Sequence, residues 1–414
     1  MTMAPSTQWP VQRLKFVASV MPSNVDKLTD PDHIPVRLCN YVDVYKYDRI
    51  TGDMEFMPAS ATPAQITRFA LRGGDVLITK DSETPDDIAV PAYVDSSAAG
   101  VICGYHLALL RPIAGRTIGR YLFWAICSRS VSSAFSARAQ GITRFGLTVG
   151  AMGDVPIPLP PTAEQRAIAD FLDRETAKID ALIATQARLI ALLDEKRQAT
   201  ITHAVTKGLD PTAPMKESGV EWLRDIPRNW ALMAVKRVAM LKSGDTISAD
   251  SVVSDGTYPV YGGNGFRGYT DRFTHEGNYL LIGRQGALCG NINYASGQFW
   301  ASEHAIVVTL TKTVSQAWLG YVLMAMDLNR YSLSAAQPGL SVETIKNLLI
   351  PLPPPAEQRA IEDFLDRNIA SIDGLRHKSQ QVIQRLRERR TALITAAVTG
   401  QVDVSHPAIT EAAK

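Results

Sequence analysis

Four side chains able to hydrogen-bond a flat heterocycle stand beside glycines in two short stretches. Asn264 and Arg267 lie in "YGGNGFRG", and Arg284 and Gln285 in "GRQG". Arg or Lys matches the acceptor pair of guanine, and Asn or Gln the donor and acceptor of adenine. Glycines let a backbone approach a groove closely. "LLIGR" lines up with "VLITK", which sets Lys80 opposite Arg284. A second loop, "SARAQGITRFG", offers Arg138, Thr143 and Arg144, and Gln337 sits in the corresponding "AAQPGLSV". The bland alternative for each is a solvated surface charge or a turn amide.

Bond-making chemistry has no such footing. The chain has no GxxxxGK[ST] phosphate loop, no HExxH and no NPPY-type tetrapeptide. "YGGNG" sits among strand-like runs and opens no helix, so it is not a dinucleotide fingerprint. The seven histidines are spread out, and His106 and His304 read as strand residues with structural roles. No catalytic and no metal residues are assigned. Four scattered cysteines without CxxC spacing argue against a zinc site and a disulfide framework. They fit a reducing, cytoplasmic setting. The first residues lack the apolar core of a signal peptide, and no run reaches the length of a membrane span. A net charge of +2 carries no vote for or against a polyanionic partner.

The elements that must position these residues are duplicated. "IPLPPTAEQRAIADFLD" begins at Ile157, and "IPLPPPAEQRAIEDFLD" begins 193 residues later at Ile350. At that offset "GLTV" (from Gly146) matches "GLSV" (from Gly339), and "ITHAVTKGLD" matches "ITAAVTGQVD". "WPVQRLKFVA" (from Trp9) matches "WALMAVKRVA" (from Trp230) at a different offset, 221, so the first intervening block is 28 residues longer.

Each shared block reads as a helix of about 40 residues. Ile168, Leu172, Ile179, Leu182, Leu189 and Leu193 form a heptad seam, repeated at Ile361, Leu365, Ile372, Leu375, Val382 and Leu386. Thr162 and Gln165 make a capping-box pattern. The "LRERR" cluster reads as a solvated helix end. Each variable block reads as an α+β globule: short apolar runs split by Gly, Pro and Asp, then a helical patch. The organisation expected is a globule over 1–157, a helix over 158–210, a polar linker over 211–229, a globule over 230–350, a helix over 351–403 and a tail over 404–414.

"IPLPPTAEQRAIADFLDRETAKIDALI" followed by "KGLDPTAPMKESGVEWLRDIPRNW" closely resembles the DNA specificity subunit of type I restriction-modification systems. "CNYVDVY" and "LLIGRQGALCGNINY" with "WASEHAIVV" resemble the target-recognition domains of that family. The resemblance covers essentially the whole chain. It implies an α+β protein in which two target-recognition domains are separated by two long helices in an antiparallel coiled coil, a pseudo-two-fold repeat. It implies a non-catalytic reader of double-stranded DNA that carries two methyltransferase subunits and nuclease-translocase restriction subunits. S-adenosylmethionine, ATP and Mg are then implied for the partners alone. Under it, the Arg, Lys, Asn, Gln and Thr residues named above become candidate DNA contacts. Glu164, Gln165, Arg166, Glu357, Gln358 and Arg359, matched and expected to be exposed, become candidate docking positions, with helix N-terminal capping as the bland alternative. A rival of another class is an interaction scaffold that does not read DNA sequence.

Overall fold

A computed structural model describes residues 9–286, 288–312, 314–332, 339–402 and 404. The chain forms two compact units, Met1–Gln186 with Gln381–Lys414, and Ala187–Gln380.

The first unit is built on a five-stranded sheet: β1 (Ala18–Pro22), β2 (Arg49–Ile50), β3 (Val76–Thr79), β4 (Pro91–Val94) and β5 (Leu107–Pro112), in spatial order β1-β5-β3-β4-β2. The β4–β2 pair is parallel and the rest are antiparallel. All four residues of β3 are buried because both faces of the sheet are covered. Val76 and Ile78 face one core, which also holds helix α1 (Gly119–Cys127) and helix α2 (Arg129–Ser136). Leu77 faces the other, built with a three-stranded sheet over Ile34–Cys39, Met57–Ala61 and Ile102–Cys103. The patch 118–135 is thus two helices, parted at Ser128, whose extended backbone breaks the first.

The second unit repeats this plan. Its strands are β6 (Ala239–Ser243), β7 (Tyr258–Gly262), β8 (Gly265–Thr270), β9 (His275–Gly283), β10 (Ile292–Ala301) and β11 (Ala305–Leu310), in spatial order β6-β11-β9-β10-β7-β8. The first five match the order and pairing sense of the first sheet, with β10–β7 parallel. β8 is an addition, hairpinned onto β7. Leu280, Ile282, Ile306 and Val308 face the main core with helix α4 (Gln316–Ala325). The alternate residues Leu281 and Val307 face only a small cluster around Phe299.

Two long helices, α3 (Thr162–Lys207) and α5 (Pro355–Val398), each start in one unit and end in the other. In the first unit, Ile168, Ala169 and Leu172 of α3 share a core with Ile394, Ala397 and Val398 of α5. In the second, Ile361, Leu365 and Ile369 of α5 share a core with Ile201, Ala204 and Val205 of α3. The ion pairs Arg390–Asp180 (3.1 Å) and Arg197–Asp373 (3.5 Å) occupy positions 193 residues apart, and the pairing runs antiparallel within each unit.

Several expectations need correction. The heptad seam is buried at Ile168, Leu172, Ile179, Leu193, Ile361, Leu365 and Ile372, but Leu182, Leu189, Leu375 and Val382 are exposed and Leu386 is half-buried. Periodicity defines a stripe, whereas burial needs something to cover it. The residues 211–229 are no mere polar connector: Met215–Glu217 pairs with Asp225–Pro227, and Leu223 and Ile226 enter the second core. His106 and His304 lie in turns just before β5 and β11. Arg390 of "LRERR" is not a free helix end. It pairs with Asp48 (2.7 Å) and Asp180 and lies over the Trp124 ring. Among the described residues no helix is long and apolar enough to cross a membrane.

Candidate nucleic-acid interface

Strands β3 and β9 end at corresponding junctions in the two units. The Lys80 N–H donates to the His106 carbonyl (3.0 Å), and the Lys80 carbonyl accepts from the Leu147 N–H (2.9 Å). The Arg284 N–H donates to the His304 carbonyl (2.8 Å), and its carbonyl accepts from the Leu340 N–H (2.8 Å). Three chain segments meet in the same way at each place. The next side chain also does the same thing in both: Asp81 sits 2.9 Å from His106 Nδ1, and the Gln285 amide oxygen sits 2.8 Å from His304 Nδ1. So the alignment of Lys80 with Arg284 holds for the backbone.

It fails for the side chains. Lys80 turns inward, donates to the Ser23 carbonyl (3.0 Å) and lies 4.4 Å from the Tyr105 ring centroid. Burial lowers its pKa. Arg284 is half-buried and makes no side-chain hydrogen bond to any described residue.

Around Lys80 the loop 140–146 closes on itself, with Gln140 and Gly146 exchanging backbone hydrogen bonds of 3.0 and 2.8 Å. Phe145–Gly146 then pairs with Asp81–Ser82. The loop presents Ile142, 95% exposed, beside exposed Thr143 and Arg144. Arg144 Nη2 donates to Asp81 (2.7 Å) and approaches His106 Nδ1 (3.3 Å). Arg138 points elsewhere. Its guanidinium returns to the Ala134 carbonyl of α2 (2.8 Å), closing that helix's last turn.

Around Arg284 the β7–β8 hairpin is seated on the junction. A Cβ on Gly263 would lie 2.9 Å from the Gln285 carbonyl and 3.1 Å from that of His304, so only glycine allows this approach. The turn carries exposed Asn264, which accepts from Asn291 (3.4 Å), then Phe266, 53% exposed, and exposed Arg267, whose stem crosses Gly262. Asn264, Arg267, Arg284 and Gln285 are thereby gathered at one rim, as Lys80, Thr143 and Arg144 are at the other. Gln337 lies outside the described residues.

Sequence reasoning missed Asp81, both histidines, Ile142 and Phe266. The histidines' part in the site shows only in the fold, where each supplies the carbonyl that receives the aligned Lys80 or Arg284. Asp81 gave none, because a carboxylate is an unexpected neighbour for a polyanion.

At the helix starts, Glu164 is half-buried and Arg166 exposed, and Glu357 is half-buried and Arg359 exposed. The expectation of exposure fails for Gln165 and Gln358, at 0% and 3%. Gln165 donates to the Arg116 and Pro160 carbonyls (both 2.9 Å) and accepts from Ile118 N–H (3.0 Å). Gln358 donates to the Pro353 carbonyl (2.9 Å) and accepts from Ser315 N–H (3.3 Å). Each pins the loop that leads into α1 or α4. The capping box at Thr162 is therefore not formed by Gln165, whose amide is committed to that loop.

A family model described as the type I restriction modification DNA specificity domain matches residues 50–190 and again 227–385. The chain belongs to that family. The type I restriction enzyme EcoprrI specificity subunit of Escherichia coli is 34% identical over 249 residues, which span 59% of this chain and 57% of that relative. A putative MjaX specificity subunit of Methanocaldococcus jannaschii is 22% identical over 418 residues, 96% of this chain and 94% of its own. A chain from a structural study of complex assembly and conformational transition in a type I R-M system superposes with a TM-score of 0.71 at 17% identity. The superposition covers 97% of this chain and 100% of that one, and shows a shared fold. The matched family domain occurs twice, once for each rim.

Proposed function

We propose that this specificity subunit reads a two-part double-stranded DNA site, one half per globule, and itself makes and breaks no covalent bond. The observation that carries the reading is the pair of junctions at Lys80 and Arg284: one backbone arrangement, used twice, with different hydrogen-bonding side chains around it. A duplicated frame with unlike readers is what an unsymmetrical bipartite target requires.

The long helices supply the scaffold. Leu182, Leu189, Leu192, Leu375 and Val382 are large apolar residues left exposed along them, suited to packing against partner helices. Glu164, Arg166, Glu357 and Arg359 offer charged contacts at the matched helix starts. The partners in this reading are two methyltransferase subunits and the nuclease-translocase restriction subunits, in the cytoplasm. S-adenosylmethionine, ATP and Mg belong to those partners. The absence of phosphate-loop, dinucleotide and base-methylation motifs from the sequence supports that assignment.

The test is to co-express the chain with its methyltransferase subunit and sequence the methylome of the host. A methylated site made of two specific halves around an unspecified gap is expected. The purified chain alone, given labelled S-adenosylmethionine and duplex DNA, should leave the DNA unlabelled. Label without a partner, or methylation without sequence preference, would refute the reading.

A further inference from the structure

Resting on that reading, we propose that Arg144 reads a guanine in the half-site of the first globule, and that Asp81 is the positioning residue that aims it. Arg144 is 61% exposed, yet its Nη2 is tied to an Asp81 carboxylate that is only 16% exposed. A long side chain on a surface loop ordinarily samples many rotamers, and the tie removes much of that freedom before any ligand arrives. The backbone beneath is held as well, by the Gln140–Gly146 hydrogen bonds and the pairing of Phe145–Gly146 with Asp81–Ser82. His106 Nδ1 lies 2.9 Å from the Asp81 carboxylate and 3.3 Å from Arg144 Nη2, so the imidazole flanks the tie and fixes the carboxylate.

Nη2 carries two hydrogens and the tie uses one. Among the described residues Nε and Nη1 have no hydrogen-bonded partner, so the second Nη2 hydrogen together with Nη1 or Nε can still form a two-donor edge. Guanine O6 and N7 are the acceptor pair that such a fork matches.

Charge decides between base and phosphate. Asp81, Glu83 and Asp87 line one 740 Å³ surface cavity together with Arg144 and Thr143. Three carboxylates at that place disfavour a phosphate by like-charge repulsion. They cost far less against the uncharged acceptor edge of a base. A phosphate-binding arginine has no use for this surrounding. A base-reading arginine uses one carboxylate to fix its plane.

The second rim supports the assignment by contrast. The residue matching Asp81 is Gln285, an amide on His304, and among the described residues it braces no arginine. The same backbone position thus serves as brace in one globule and is free to serve as reader in the other.

The experiment uses the full chain co-purified with its methyltransferase subunit, binding a pool of duplexes randomised at every target position. Arg144→Lys keeps charge and reach but removes the fork. Discrimination for guanine at one position of the first half-site should fall roughly 5- to 150-fold. Asp81→Ala should relax that same position while leaving the second half-site and the melting temperature unchanged. Should Asp81→Ala melt early, Asp81→Asn, which keeps the shape and an acceptor oxygen, should relax the position partly. Full guanine preference in Arg144→Lys, or in a folded Asp81 variant, would overturn the proposal. So would a uniform loss of binding with a salt slope lower by about one unit, the mark of a phosphate contact. A wild-type complex that selects no first half-site would defeat the DNA-reading assignment itself, a result distinct from each of these.

Discussion

The two rims share a backbone and differ in how they use it. In the first, Lys80 is drawn inward onto Ser23 and Tyr105, and Arg144 arrives from the 140–146 loop to be held by Asp81. In the second, Arg284 is half-buried with no side-chain hydrogen bond to a described residue, and the added strand β8, hairpinned onto β7, sets Asn264 and Arg267 at the same rim. One sheet order therefore carries two different sets of side chains at its rim. The covering of each sheet also differs. The far face of the first sheet is sealed by a full core around Leu77 and Leu109, whereas that of the second holds only a small aromatic cluster around Phe299.

The comparison can be broken or sharpened by substitution. The largest effect should come from the pins shared by both units. Gln165→Ala orphans the Ile118 N–H and two carbonyls, and should cost about 2–3 kcal/mol, with Gln358→Ala slightly milder because it holds fewer partners. Calorimetric melting of both variants checks this, and an unchanged melting curve for either would show that its amide is not a structural pin.

Gly263→Ala comes next. The new methyl would meet two carbonyl oxygens at 2.9 and 3.1 Å, so the hairpin must move off the junction. Discrimination in the second half-site should drop by at least tenfold, on the order of 1.4 kcal/mol. The first half-site should keep its profile, because its rim has no such hairpin. Equal loss in both would mean that the two readers are not independent.

Arg284→Ala should relax one position of the second half-site by about 1–3 kcal/mol of discrimination. Specificity profiling of the methyltransferase complex reads this. Weaker binding to all sequences with no relaxed position would assign Arg284 to phosphate instead.

The smallest effect should be that of Lys80→Ala. Its ammonium is spent on an internal carbonyl, so the first half-site should keep its sequence preference while stability falls by about 1 kcal/mol. A relaxed base position in this variant would show that Lys80 swings outward on binding and would restore its equivalence to Arg284.

How far the sequence alone reaches can be seen residue by residue. The repeat was legible because the shared helices must pack the same way twice, which conserves types at Ile168 and Ile361 or Asp180 and Asp373. The strands around Val76 and Leu280 were legible from continuous apolar runs. The exposed middle of the heptad seam was not legible, because a periodic stripe looks identical whether or not anything covers it. Gln165 and Gln358 were misread for a related reason: a polar residue near a helix start normally meets water or a backbone N–H, and only the loop before α1 or α4 shows otherwise.

By itself, then, the sequence determined that this protein is a duplicated α+β chain with two long helices, which family it resembles, and which loops hold forked donors. Those properties live in local spacing and in matches along one dimension. The tertiary structure alone decided which donors are available. Lys80 and Arg284 occupy the same backbone position, but the first is spent on the Ser23 carbonyl and the second makes no side-chain hydrogen bond to a described residue. Asp81 lies 63 residues from Arg144 in the chain and 2.7 Å from it in space. Orientation and charge pairing of this kind depend on segments distant in sequence meeting at a sheet edge, and no spacing rule along the chain encodes that meeting.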